Sequence, residues 1–366
     1  MKVPFIDLGL QHKLLKEELM DVVSGLIDSG QFILGEELLS FEKSFADLCG
    51  TKYAIGVANG TDALFLSMKA LGVTAGDEII TAPNSFLASA SSIFLAGAKP
   101  VFADVRSDFN IDPEEIRKVI TDRTKAIIPV HLTGRPADMD SILAIAHEYN
   151  LAVIEDCAQA VCAEYKGKPV GSFGNLGCFS LHPLKNLSAC GDGGVITTND
   201  EDLYKNLLKA RNHGLKSRDE CEFWSYNSRL DNLQAAMLNI KLKKLPEWTA
   251  RRRDIAAFYF NRFSGLDLIS PKDKPFEKAA YHTFIIQTSK RDDLKSYLSE
   301  KGIDTKVHYP IPIHLQEAAK YLGYVKGDFP VTEKQSGEIL SLPVFPELTD
   351  NHVEYVANSI INYFKK

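Results

Sequence analysis

Between Tyr53 and Asn199 short apolar runs alternate with amphipathic stretches. The runs 78–82, 100–104, 124–130 and 151–156 are five to seven residues long and largely apolar, which marks them as buried strands. Between them, 89–95, 113–120 and 139–149 carry apolar residues at helical spacing, with Pro113 at a helix start after Asp112. Residues 53–64 predict a strand, a tight Asn59-Gly60 turn, and a helix opening at Thr61 with Thr or Asp as its cap. Short apolar strands alternating with amphipathic helices define an α/β class with a parallel sheet covered on both faces.

The flanks follow other periods. Leu14, Leu15, Leu19, Val22, Val23 and Leu26 share one side of a helix over 10–26, and a second helix over 38–48 stops at Cys49-Gly50. Beyond Asn199 the rhythm breaks. Residues 202–212 are helical and 211–222 polar and loop-like. Residues 233–245 form a helix ended by Pro246, and 247–263 a long charged one. The remainder, with an apolar run at 281–287 and a helical stretch from Asp292 to Lys301, makes a smaller α+β unit. The expected division is therefore 1–246 for a large domain and 247–366 for a small one.

Composition narrows the classes. With 366 residues, 45% hydrophobic and 25% charged, the chain has the mix of a soluble globular protein. A formal charge of −6 argues against a general nucleic-acid or membrane-surface binder. No apolar run approaches the roughly 20 residues a bilayer span needs, and the N-terminus lacks a signal-peptide core. Cys49, Cys157, Cys162, Cys178, Cys190 and Cys221 form no CxxC pair. They are expected to be buried thiols in a reducing cytoplasm, without metal or disulfides.

Candidate chemistry gathers at predicted strand ends, where ligands of open α/β sheets collect. Thr61, Phe86, His131, Asp156 and Lys185 all fall there. Lys185 lies between two strand-like runs, 178–181 and 195–198, before the glycines of 191–194. It is either a solvated loop lysine or an amine nucleophile kept neutral by desolvation. Asp156 ends an apolar strand, as a helix cap or as the counter-charge to a protonated ring nitrogen. Gly60 and Thr61, helped by Ser180, offer a phosphate seat at a helix N-terminus. Phe86 packs in the core or covers one face of a flat ring. Together these are the parts of a pyridoxal phosphate (PLP) site.

Five segments then carry a resemblance: Val57–Leu64, Ile154–Gln159, Phe179–Asn186, Gly191–Gly194 and Tyr226–Ala236. They resemble the DegT/DnrJ/EryC1/StrS family of PLP-dependent sugar aminotransferases, and the likeness runs from Phe5 to His314. It implies PLP-dependent transferase fold type I, aspartate-aminotransferase-like, with a mostly parallel sheet in the large domain. It also implies a homodimer with shared active sites. By the same resemblance Lys185 is the Schiff-base lysine and Asp156 the partner of the pyridinium. Gln159 lies near the ring hydroxyl; Gly60, Thr61 and Ser180 hold the phosphate; Phe86 stacks on the ring. Asn227 reaches the neighbouring subunit's cofactor, and Arg229, His308 and Tyr309 contact the nucleotide part of the substrate. Arg229 has a competing reading as an ion pair with Asp231, and His308 as a loop histidine.

Leu181 stands where relatives often have an aromatic, and Cys157 where alanine is common; neither removes a catalytic group. The implied reaction moves an amino group, with L-glutamate as implied donor, onto a nucleotide-linked (dTDP or UDP) keto-deoxysugar. The sequence carries no marker for an arginine that would grip the donor's carboxylate. The alternatives are transamination of a non-nucleotide ring ketone such as an inosose, and PLP-dependent sugar dehydration. Lys185 argues against the second, because a histidine replaces it in that branch. A PLP-dependent regulator would need a DNA-binding segment, which the sequence does not show.

Overall fold

The structure is a computed structural model and describes residues 1–365. Two helices open the chain, α1 (Leu8–Ser29) and α2 (Glu36–Cys49). Then come β1 (Tyr53–Val57), α3 (Gly60–Ala70), β2 (Glu78–Thr81), α4 (Leu87–Leu95), β3 (Lys99–Phe102), α5 (Pro113–Val119), β4 (Thr124–Ile128), α6 (Met139–Glu148) and β5 (Ala152–Asp156). The short pieces β6 (Glu164–Tyr165) and β7 (Lys168–Pro169) precede β8 (Leu176–Ser180), β9 (Gly194–Thr198), α7 (Glu201–Ala210) and α8 (Asn232–Arg262). The chain closes with β10 (Glu277–Lys278), β11 (Phe284–Gln287), α9 (Arg291–Glu300), α10 (Pro330–Glu338), β12 (Ile339–Leu342) and α11 (Asp350–Phe364).

Seven strands form one sheet in the order β1-β9-β8-β5-β4-β2-β3. All run parallel except β9, which is antiparallel to both neighbours. The carboxyl ends of β1, β2, β4, β5 and β8 therefore lie along one edge, and the amino end of β9 joins them. Alternation along the central strands supplies two apolar faces. Ala54, Phe179 and Val195 pack with Phe41 and Phe45 of α2 and Leu238 of α8. Ile55, Cys178 and Ile196 pack with Leu64 and Met68 of α3 and Ile93 of α4. A separate core joins Ile255 and Tyr259 of α8 to Phe284 and Ile286 of β11, Leu340 and Leu342 of β12, and Val356 and Ile360 of α11; Val3 belongs to it too.

The elements read from the sequence are present, with two corrections. Pro246 does not end a helix: α8 runs through it for 31 residues. An internal proline costs about 3 kcal/mol. Burial on both sides of it, by Leu245 and by Trp248 and Thr249, holds the helix together against that cost. The thiols are all free, but Cys190 and Cys221 are exposed, so burial describes only part of the set.

Candidate active site

The loop from Leu181 to Gly193 joins β8 to β9 and carries Lys185. Its ends close on each other, Leu181 N–H donating to Gly193 O at 2.8 Å and Ala189 N–H to Leu181 O at 2.7 Å. Lys185 N–H donates to His182 O at 2.8 Å, and Asn186 Nδ2 to Ala280 O at 3.0 Å, which ties the loop to the segment before β11. Lys185 points into a cavity of about 360 Å³ at the sheet's carboxyl edge. Its side chain is half-buried overall, but its amine is desolvated. That pushes its pKa from 10.5 down to about 8, against the opposing pull of Asp156. A solvated loop lysine would keep its ordinary value.

Asp156 ends β5 and is 4% exposed. Burial raises its pKa, partly offset by Ser89 Oγ–H on Oδ2 at 2.8 Å and Ala158 N–H on Oδ1 at 3.1 Å. It has no ion pair within 4.0 Å among the described residues, so it is a buried carboxylate short of a cationic partner. Its neighbour Glu155 faces the other way. That carboxylate accepts the N–H groups of Gly171, Phe173 and Gly174 and faces His131 Nε2 at 3.1 Å. His131 Nδ1 accepts Ala137 N–H, so His131 and Glu155 both have hydrogen-bond partners within the protein, and Cys157 adjoins them.

At the start of α3 the cap is Asn59, whose side chain accepts Asp62 N–H at 2.8 Å; the cap is neither Thr nor Asp. The first intrahelical bond begins at Ala63 N–H, on Asn59 O. The N–H groups of Gly60 and Thr61 precede it and remain free on the cavity wall beside Ser180. A Cβ on Gly60 would lie 2.8 Å from Ser180 Cβ, and one on Gly194 would lie 2.4 Å from Asn59 O. Both glycines thus allow the backbone to close around the seat. Phe86 is 52% exposed and lines the cavity, which removes the core-packing reading; its ring stands 5.6 Å from that of Tyr309.

Gln159 accepts Thr133 N–H at 2.7 Å and donates to Tyr309 OH at 3.4 Å. Tyr309, pushed up to about 12 by burial, and His308, pushed down to about 4, are neutral at pH 7. His308 lies in a loop bend, as its alternative reading had it, with Nδ1 paired to Ser341 Oγ at 2.9 Å. Gly60, Thr61, Phe86, Asp156, Gln159, Ser180, Lys185, His308 and Tyr309 therefore share one cavity. Asn227 and Arg229 do not line it. Asn227 is exposed, and Arg229 donates to Asn212 Oδ1 at 3.2 Å and makes no ion pair with Asp231. Ser89, Arg252 and His282 line it without having been singled out from sequence.

The whole-chain comparisons agree with this geometry. The model of the "DegT/DnrJ/EryC1/StrS aminotransferase family" matches residues 13–361. The chain belongs to that family. It is 44% identical to a protein of Geobacillus stearothermophilus named pleiotropic regulatory protein, over 100% of this chain and 99% of the relative. It is 43% identical to the dTDP-3-amino-3,6-dideoxy-alpha-D-galactopyranose transaminase of Aneurinibacillus thermoaerophilus, over 99% of each. Among solved structures, DesV of S. venezuelae superposes with a TM-score of 0.98 at 38% identity, covering 100% of this chain and 99% of that one. NtdA of Bacillus subtilis, described with bound cofactor PMP, gives 0.93 at 31%, covering 100% and 86%.

The lowered pKa of Lys185 has a direct consequence. An amine is nucleophilic only when neutral, so the rate at which an amine-selective acylating reagent labels Lys185 in cofactor-free protein is expected to rise with pH and level off above about 8. Peptide mass spectrometry reads the site. A midpoint near the ordinary 10.5 contradicts the desolvated placement.

Proposed function

We propose that this family member is a PLP-dependent aminotransferase of a nucleotide-linked keto-deoxysugar, dTDP or UDP, in amino-sugar biosynthesis, with L-glutamate as donor. The observation that carries the reading is the pairing, in one cavity, of a desolvated Lys185 with a buried Asp156 lacking a cation. A pyridinium N–H supplies the missing positive charge, and the free N–H groups of Gly60 and Thr61 with the Ser180 hydroxyl suit a phosphate. Phe86 would cover one face of the ring, and Gln159 would lie near its hydroxyl.

When bound, PLP supplies the electron sink that makes the donor's α-proton removable. The chain supplies the rest. Asp156 stays ionised against the ring nitrogen, and Ser89 fixes its orientation. Lys185 Nζ takes the proton from the donor's α-carbon and delivers it elsewhere on the same face, then does the reverse for the sugar. A pKa of about 8 leaves an appreciable neutral fraction at pH 7 to 8. His308 and Tyr309 face the sugar nucleotide as neutral hydrogen-bonding groups.

Asn227 and Arg229, outside the cavity of their own chain, act across a homodimer interface. Asn227 reaches the partner's cofactor phosphate and Arg229 the nucleotide. On this reading the chain divides into the large domain 1–246 and the small domain 247–366, α8 being common to both. The relative named as a regulatory protein does not change the reading, because Lys185 and Asp156 are chemical groups that regulation alone does not require.

Two measurements follow. Gly60→Ala places a methyl against Ser180 and is expected to weaken cofactor affinity by about tenfold to a hundredfold, read by equilibrium titration of the cofactor. For the substrate, the loaded enzyme is assayed with glutamate against dTDP- and UDP-linked keto-sugars and an inosose. Arg229→Ala is expected to raise the Michaelis constant for the nucleotide sugar and not for glutamate. Turnover of the inosose alone overturns the nucleotide-sugar reading.

A further inference from the structure

Two charged groups on the cavity wall are unused by the chemistry above, the exposed Asp192 and the buried Arg252. Arg252, on α8, is 4% exposed and lines the cavity. Of its three guanidinium nitrogens only Nη1 is bonded, to Val344 O and to Tyr281 O at 3.4 Å. Nε is sealed from solvent with no acceptor, and Nη2 makes no hydrogen bond among the described residues but is not sealed. No carboxylate lies within ion-pair distance among the described residues. Glu347, the one acidic group that acts on it appreciably, has Oε1 engaged by Gln11 Nε2 at 3.0 Å. Burying a guanidinium without a counter-ion is costly, and burial here drags its pKa down to about 10. Such a group is in want of an anion.

The cavity already provides for a phosphate at Gly60, Thr61 and Ser180, on the sheet side. Arg252 stands on the wall built by the second core, next to Val344. It is close enough to Lys185 that both oppose the protonation of His282, which bonds to Asn186 beside Lys185. An anion held by Arg252 must therefore belong to a small molecule that reaches the depth where Lys185 works. The diphosphate of a nucleotide sugar, attached to a bulky nucleoside, suits the open rim where Phe86 is half exposed. The remaining anion is a carboxylate of the amino donor.

We propose that Arg252, through its free Nη2, is the group that holds a carboxylate of the amino-acid donor and so selects a dicarboxylic amino acid over a simple amine. The proposal rests on the aminotransferase reading. It supplies the arginine for which the sequence has no marker: Arg252 is the middle of three arginines in a charged helix and looks solvated.

The test uses the cofactor-loaded enzyme and its two half-reactions, each followed by the cofactor's absorbance. Arg252→Gln is expected to raise the half-saturating glutamate concentration about a hundredfold, as loss of one partner of a buried charge pair does. The half-saturating keto-sugar concentration, in the other half-reaction, is expected to change by less than about threefold. Arg252→Lys keeps the charge but not the fork and is expected to cost about tenfold; it carries the test where Arg252→Gln does not fold. The preference of the wild type for glutamate over 4-aminobutyrate or 2-aminobutyrate, each lacking one carboxylate, is expected to collapse for one of them. A purely structural role for Arg252 predicts instead equal losses with every donor, and that result overturns the proposal. So does a loss confined to the keto-sugar half-reaction, or unimpaired use of glutamate. A wild type that reacts with no amino acid overturns the aminotransferase reading itself, and is seen before any variant is made.

Discussion

Lys185→Ala is expected to lower turnover by about 10⁴-fold or more while leaving the fold and cofactor uptake in place. The size follows from what the amine does. Proton transfer by a positioned base contributes about 10² to 10⁴, and on the proposed reading the same amine is also the covalent attachment point, whose loss removes a second effect. The two half-buried histidines of the cavity wall do not replace it. His282 and His308 are held neutral and are poorly basic, the first by burial beside Lys185 and Arg252, the second at about 4. Tyr309 is pushed up to about 12 and is a poor acid. The phosphate seat and Asp156 remain, so the variant should still take up cofactor non-covalently. Steady-state assays and cofactor titration on the same sample separate the two effects. Retained turnover within tenfold of wild type would refute the assignment.

Asp156→Asn is the second large effect. Without a carboxylate the ring nitrogen loses its counter-charge and the electron sink weakens, for an expected loss of about 10³-fold in the donor half-reaction. The change is nearly isosteric: the amide oxygen can accept Ala158 N–H while its NH2 donates to Ser89 Oγ, whose hydroxyl can turn to Ser85 Oγ, so stability should hold or rise slightly as a buried carboxylate is removed. A second readout fixes the cause. The Asp156 charge raises the Lys185 pKa, so in the cofactor-free variant the labelling midpoint at Lys185 should fall below about 8. An unchanged midpoint would show that the two groups do not interact.

Much of this site was legible before any coordinates. Lys185, Asp156, Gly60-Thr61 and Phe86 each follow an apolar run, and a mostly parallel sheet aligns those ends along one edge. What the sequence left out has a common physical origin. Ser89 lies one helical turn beyond Ser85 on α4, and its contact with Asp156 depends on how that helix crosses β5. Arg252 and His282 come from the second core, more than sixty residues beyond Lys185, and no local pattern places them on the cavity. Gly194 is one of the four-residue run 191–194 in the sequence, where nothing sets it apart; its role is the close approach of β9 to Asn59. Pro246 follows the local rule for a helix end and is overridden by burial on both sides. Exposure of Cys190 and Cys221 is likewise decided by loops rather than composition.

The central claim is that this cavity transfers an amino group from an amino acid to a nucleotide-linked keto-sugar. It is tested most directly by incubating the PLP-loaded protein with glutamate carrying an isotopically labelled amino nitrogen and a panel of dTDP- and UDP-linked keto-deoxysugars, and weighing the products. One labelled amino-sugar nucleotide is expected, formed in step with 2-oxoglutarate, and neither product with Lys185→Ala. Label that enters no nucleotide sugar, or sugar that is dehydrated without gaining nitrogen, would contradict it.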